Sequence, residues 1–168
     1  MSLQYRMRKD IPPPGPHEDA ALADAVSEVL DESRTVLPGI QAFIGFQLVA
    51  VFSVPFWERL EPYERTLHLG AIVLNVIALV FLLTPATYHR RRESGYHSEG
   101  FVNLASRLLS VSTIPLIVSV ALDLYLIARL VFGSVAPALG LSLAVLVFAL
   151  FWWQALPSLP ALRDRLRR

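Results

Sequence analysis

Asp123 is the residue whose type and position give it the strongest potential for chemistry in this chain. It interrupts an apolar stretch, Leu108 to Ile127, that otherwise contains no Asp, Glu, Lys or Arg. A carboxylate in hydrocarbon is costly and usually faces protein or water, so it indicates a cation or proton path. Ser112, Pro115 and Ser119 precede it at three- and four-residue steps, which place all four residues on one helical face. The pattern predicts a polar face centred on Asp123.

An alternative interpretation makes Asp123 a structural residue. It lies about 22 Å along a hydrocarbon core of about 30 Å, counted from Leu108 at about 1.5 Å per residue. That depth is within the outer third, where Asp123 could pair with Arg129 or Arg65. The sequence leaves both interpretations open.

Three amides also lie in apolar segments: Gln41, Gln47 and Asn75. In lipid such groups usually hydrogen-bond between helices, and each contributes about 0.6 kcal/mol. We group them with Asp123, Ser119 and Ser112 as one candidate intramembrane polar or ion site, with interhelical hydrogen bonding as the alternative.

The elements that would position these residues are transmembrane helices. The chain of 168 residues is 54% apolar and 17% charged, with a mean hydropathy of +0.50. Charge-free stretches of 23, 24 and 33 residues occur at 35–57, 66–89 and 130–162, and a fourth apolar stretch surrounds Asp123. About 20 apolar residues cross a bilayer as a helix. We therefore predict an all-α, four-helix transmembrane bundle within 36–157, with helices at about 36–56, 67–87, 104–131 and 137–156.

The segments outside this bundle differ in composition. Residues 1–17 are rich in proline and are predicted to be disordered. Residues 18–35 alternate apolar and acidic residues at helical spacing, which predicts a short amphipathic helix. This helix either docks its apolar face on the bundle or on a partner, or extends the first membrane helix. Residues 158–168 form a basic tail.

The basic residues predict the orientation of the bundle. Twelve Lys and Arg residues lie in the amino-terminal segment, the middle loop and the tail, against three on the other side. Positive charge stays on the cytoplasmic side, so we expect a protein of the bacterial cytoplasmic membrane with both termini on the cytoplasmic side. Four arginines are predicted to anchor lipid headgroups at the inner face: Arg90, Arg91, Arg92 and Arg107.

Small residues recur every four positions in the last predicted helix, at Ala136, Gly140 and Ala144. Such spacing allows two helix backbones to approach closely. The predicted contact lies either within the bundle or between subunits.

Three short strings carry a family resemblance: Pro38-Gly39-Ile40-Gln41, Val54-Pro55-Phe56 and the string from Thr84 to Arg90, TPATYHR. Over about Glu32 to Phe132, the chain resembles an uncharacterised bacterial family of four-helix membrane proteins. Members are sometimes labelled sodium:proton antiporters. The resemblance implies a membrane bundle and carries over no active residue.

The remaining features bear on function mainly by exclusion. A net charge of +1 gives no field for nucleic acid, and the absence of cysteine excludes disulfides and thiolate chemistry. No set of nucleophile, base and acid is recognisable, so we expect no enzyme, cofactor or metal site. We predict a membrane protein that acts as an interaction, scaffold or accessory subunit, in a homo-oligomer or a larger complex. The alternative is a small oligomeric cation or proton transporter that uses Asp123.

Overall fold

The computed structural model describes residues 16–92 and 99–155, and every regular element in these two stretches is helical. The elements are α1 (Pro16–Ala50), α2 (Val54–Arg59), α3 (Pro62–Arg92), α4 (Glu99–Phe132) and α5 (Val135–Leu150), which continues into a π-helical turn, Phe151–Ala155. The predicted all-helical class is confirmed for this part of the chain. The tail at 158–168 and the proline-rich segment before Pro16 lie outside the described residues.

Three of the described helices are long and apolar enough to cross a membrane: Pro62–Arg90, Glu99–Phe132 and Val135–Gln154. Their surfaces carry many exposed Leu, Val, Ile and aromatic side chains, which suits contact with lipid. α1 is not among these three helices, so the fourth predicted span stays a prediction.

α1 is a single helix that joins the amphipathic segment at 18–35 to the first predicted span. Its buried residues include Val26, Val29, Ile40 and Gln47, whose spacing follows one face of a helix. This face continues across Pro38, which lies on the exposed side. A proline inside a helix removes one backbone hydrogen bond but leaves the buried face intact, so packing holds the two halves together.

α1 ends at Ala50, before the predicted end of the first span at Phe56. The backbone N–H of Phe52 donates to the carbonyl of Val49 (3.0 Å), and that of Ser53 donates to Ala50 (3.1 Å). These short turns close the helix. α2 then begins, with a proline in its first turn, and buries Phe56.

α4 is the central helix, because it contacts α1, α3 and α5. Its most extensive contact is with α3. Two apolar clusters form the interior at the two ends of the bundle, and a polar layer lies between them. One cluster comprises Val26, Val29, Ile40, Ala78, Leu82, Phe101, Ala105 and Leu109, and the other comprises Phe56, Leu60, Tyr125, Leu126, Ala128 and Ala138.

α5 packs on α4 through a different stripe from the one predicted. Ala138 is fully buried, and the hydroxyl of Ser142 donates to the carbonyl of Ala121 (2.6 Å). Ala136, Gly140 and Ala144 are exposed, so they do not form the contact within the bundle, and the alternative contact between subunits stays a prediction. The two stripes are offset by two residues, or about 200° around a helix, and only one of them can face α4.

The connection between α4 and α5 depends on Gly133. Its φ is +67°, and its N–H donates to the carbonyl of Arg129 (2.9 Å). This is the left-handed helix cap that glycine adopts without a steric penalty. Gly133 therefore ends α4 and allows α5 to fold back.

Candidate functional site

A layer of buried polar side chains joins α1, α3 and α4 between the two apolar clusters. We call Gln47, His68, Asn75, Ser119 and Asp123 the polar layer. The exposed fractions of these residues are 3%, 6%, 0%, 0% and 9%, respectively. Polar groups at this burial require hydrogen-bond partners, because desolvation without compensation is costly. The layer supplies most of them from its own members.

His68 and Asp123 form the central contact of this layer. Nδ1 of His68 lies 3.1 Å from Oδ1 of Asp123, and Nε2 of His68 lies 2.8 Å from the backbone carbonyl of Gln47. A carbonyl only accepts hydrogen bonds, so Nε2 carries a hydrogen and donates it. The ring is thereby fixed between α1 and α4 by both of its nitrogens. Gln47 lies in the last turn of α1, where carbonyls are open to donors from outside the helix.

Gln47 connects the rest of the layer. Its Nε2 donates to Oδ2 of Asp123 (2.7 Å) and to the hydroxyl of Ser119 (3.2 Å). Its Oε1 accepts from Nδ2 of Asn75 (2.9 Å), and Ser119 donates to the carbonyl of Ala71 (2.8 Å). One amide from α1 therefore links side chains of α3 and α4.

Asn75 leaves one polar atom of the layer unpaired. Its Oδ1 is fully buried and has no hydrogen-bond partner among the described residues. Buried amide oxygens are usually satisfied, so an open acceptor here is costly by about 1–3 kcal/mol. The layer can thus accept one more hydrogen bond.

An open pocket of about 270 Å³ reaches the polar layer beside α2. Gln47, His68 and Asp123 form its polar end. The remaining lining residues are mostly apolar or aromatic and include Phe43, Phe46 and Phe56. The carboxylate of Asp123 therefore borders a space that a small molecule can occupy.

Glu64 forms a second buried polar contact, in the first turn of α3. It is fully buried, and its Oε1 accepts from Nε of Arg129 (2.7 Å). The hydroxyl of Tyr63 donates to the same oxygen (3.3 Å), and the backbone N–H of Glu61 donates to Oε2 (3.0 Å). The bridge ties α3 to the last turn of α4. A second pocket, of about 240 Å³, lies beside it and is also lined by Arg59.

Comparison with known sequences assigns a family. The profile of a Family of unknown function (DUF6328) matches residues 17–157, which include the whole polar layer. The chain belongs to this family. The expected resemblance to an uncharacterised family is therefore confirmed, whereas the antiporter label stays an expectation. No curated protein and no solved structure matches the chain.

In this DUF6328 protein, four of the six predicted site residues meet in the polar layer: Asp123, Ser119, Asn75 and Gln47. Ser112 is buried but donates to the carbonyl of Leu109 in its own helix. Gln41 is exposed and does not join the other predicted residues in the polar layer. Six residues separate Gln41 from Gln47, which turns the two side chains about 120° apart on the helix.

The alternative interpretation, in which Arg129 or Arg65 pairs with Asp123, is wrong. Arg129 pairs with Glu64, and Arg65 donates to the backbone carbonyls of Leu60 (3.0 Å) and Trp57 (2.6 Å). Arg129 is six residues beyond Asp123, hence about 120° away around α4. The buried partners of Asp123 are His68 and Gln47.

Sequence reasoning missed His68 and Glu64. The signal was their spacing on α3, since Glu64, His68 and Asn75 differ by four and seven residues and therefore share one face. Glu64 and His68 fall at the start of a long apolar segment, where charged and polar residues suggest a wet helix end. Only the packing against α4 shows that this end is buried.

The predicted headgroup anchors lie at the opposite end of the α3–α4 pair. Arg90 and Arg107 are exposed there, which suits a headgroup contact. The side chains of Arg91 and Arg92 lie outside what the structure describes. Their role as anchors stays a prediction.

Proposed function

We propose that this protein is a small proton transporter, with the pair His68–Asp123 as its proton-binding site. One observation carries the proposal: both ring nitrogens of a buried histidine face oxygen atoms. Nε2 donates to a carbonyl, so the contact between Nδ1 and the carboxylate forms only when one further proton lies between them.

That proton sets the charge of the site. With it, the pair is neutral overall, either as imidazolium and carboxylate or as imidazole and carboxylic acid. Without it, the lone pair of Nδ1 faces a carboxylate, and the site carries one negative charge at low dielectric. Loading and release of a single proton therefore alter both the charge and the bonding that joins α3 to α4. Ionisable residues within membrane segments commonly form such proton relays.

The position of the pair supports transport as opposed to a purely structural role. The pocket beside α2 reaches His68 and Asp123, whereas the apolar cluster around Phe101 and Leu82 fills the bundle on the other side of the polar layer. A site that is open toward one side and closed toward the other suits one state of an alternating-access cycle.

Proton flux into proteoliposomes tests the proposal. Purified protein is reconstituted into liposomes that contain a pH-sensitive dye. The outer solution is then made more acidic than the interior. We expect flux above that of empty liposomes, and we expect Asp123→Asn and His68→Asn to abolish it. Gln41→Asn is the matched control, because Gln41 is an exposed amide of α1. Wild-type flux equal to that of empty liposomes would refute transport.

A second candidate is an interaction or accessory subunit without enzymatic activity. The exposed stripe of Ala136, Gly140 and Ala144 favours it, because small residues on a lipid-facing helix allow close contact with another helix. The partner is a second copy of this chain or another membrane protein in the same bilayer. Gly140→Leu should abolish any cross-linked dimer if this face mediates it, and cross-linking that persists contradicts this role for the stripe.

The topology belongs to the same proposal. We propose four spans in the bacterial cytoplasmic membrane, with α1 as the first and both termini inside. The charge-free stretch at 35–57 and the contacts of α1 with α3 and α4 support it. Reporters fused to the two ends of the chain distinguish the counts: four spans place both reporters on one side, whereas three spans place them on opposite sides.

A further inference from the structure

The pocket beside α2 has a lining with two distinct parts. Its walls are aromatic and aliphatic, and its inner end presents the carboxylate of Asp123 with His68 and Gln47. Among the twelve residues that line it, none is Lys or Arg. The carboxylate of Asp123 would therefore repel an anionic ligand, with no basic side chain in the pocket to offset the repulsion. The same carboxylate attracts a cation.

The size and donor set of the pocket favour an organic cation over a metal ion. The pocket measures about 270 Å³, and one water occupies about 30 Å³ of liquid. Hard metal cations require about six oxygen ligands at short distance. The polar end supplies one carboxylate whose Oδ2 already accepts from Gln47 and whose Oδ1 faces His68. The rest of the pocket is apolar, so it suits the hydrocarbon part of an organic ligand.

The aromatic walls add a second attraction. The pocket is lined by three phenylalanines, Phe43, Phe46 and Phe56. The ring centroids of Phe56 and His68 are 5.3 Å apart in an edge-to-face arrangement. Phe46 is 76% exposed in the isolated chain, so its ring is free to cover a ligand. An aromatic face attracts a cation most strongly when the cation is weakly hydrated, as a quaternary ammonium group is.

We propose that this pocket binds a monovalent lipophilic organic cation in exchange for the proton that His68 and Asp123 share. This inference rests on the proposed proton site. On binding, the shared proton leaves to water, the carboxylate of Asp123 pairs with the cation, and His68 stays neutral with Nε2 donating to Gln47. No covalent bond other than that to the proton changes. The net charge of the site is zero before and after, so one cation replaces one proton.

The test uses the full chain in detergent, in weakly buffered solution with a pH-indicating dye. Benzyltrimethylammonium is the probe, and neopentylbenzene is its neutral isostere. We expect saturable binding of the cation by titration calorimetry, with release of about one proton per protein and at least tenfold weaker binding of the isostere. Asp123→Asn should abolish proton release and weaken cation binding at least tenfold.

A matched pair of exposed phenylalanines keeps the test informative if Asp123→Asn fails to fold. Phe46→Ala should weaken cation binding by about two- to fivefold, the size of an exposed cation–π contact. Phe52→Ala is the control, since Phe52 is 87% exposed and does not line the pocket. Equal effects of the two substitutions would overturn the assignment of the pocket.

The outcomes separate this inference from the proposed function. Equal binding of the cation and its neutral isostere, without proton release, identifies an apolar pocket for lipid and overturns the inference. Asp123-dependent proton flux without cation binding also overturns it, while the proposed proton site stands. Cation binding with proton release but no proton flux in liposomes, even when benzyltrimethylammonium is supplied on the side opposite to the acid, supports the exchange site and refutes transport.

Discussion

A double-mutant cycle on His68 and Asp123 tests whether the two side chains form one coupled unit. Asp123→Leu removes one of the two acceptors of Gln47 Nε2 and leaves Nδ1 of His68 without a partner. His68→Leu removes the partner of Asp123 Oδ1 and the donor to the Gln47 carbonyl. We expect each single substitution to lower the free energy of unfolding by about 3 kcal/mol, the lower end for breaking a buried pair.

The double substitution should cost less than the sum of the two. Once one partner is absent, the second substitution removes a buried polar group that has already lost its hydrogen bond, so it costs less. We therefore expect a coupling energy of about 2 kcal/mol, within the range for contacting residues. Unfolding by dodecyl sulfate in mixed micelles, followed by far-UV circular dichroism, measures it.

The control cycle replaces His68→Leu with Gln41→Leu, because Gln41 is exposed on the same helix that carries Gln47. Its coupling with Asp123→Leu should stay below about 0.5 kcal/mol. If the His68–Asp123 cycle also gives a value that small, the two side chains do not share a proton, and the reasoning about the site fails.

Two further predictions use the same unfolding assay. Ala138→Leu should lower the free energy of unfolding by about 1–3 kcal/mol, because overpacking the contact of α5 with α4 forces both helices to shift. Ala136→Leu lies on the exposed side and should change the free energy of unfolding by less than about 0.5 kcal/mol. Gly133→Ala should cost about 1–2 kcal/mol because a left-handed residue with a Cβ is strained. Gly140→Ala has no neighbouring atom within 4 Å of the added Cβ and should be neutral or stabilising, since alanine favours helix by about 1 kcal/mol. Equal effects within either pair would contradict the packing described for α5 or the cap at Gly133.

The sequence by itself determined the class of the fold. Long charge-free stretches suit a bilayer core, where only structures that satisfy their own backbone hydrogen bonds remain stable. The helices around residues 62–90, 99–132 and 135–154 follow from this single constraint. The sequence also identified Asp123 as an anomalous charge and placed Ser119 on its face.

The tertiary structure decided which polar groups meet. Periodicity fixes the relative directions of side chains on one helix but not the rotation of that helix toward its neighbours. The sequence therefore could not decide between Ala136 and Ala138 as the contact of α5, nor exclude Arg129 as the partner of Asp123. The pairing with His68 requires α3 and α4 to pack with one register and α1 to end near both. Hydrophobic length specifies the helices, whereas the low cost of rotating an apolar helix in lipid leaves their contacts to packing and to a few hydrogen bonds.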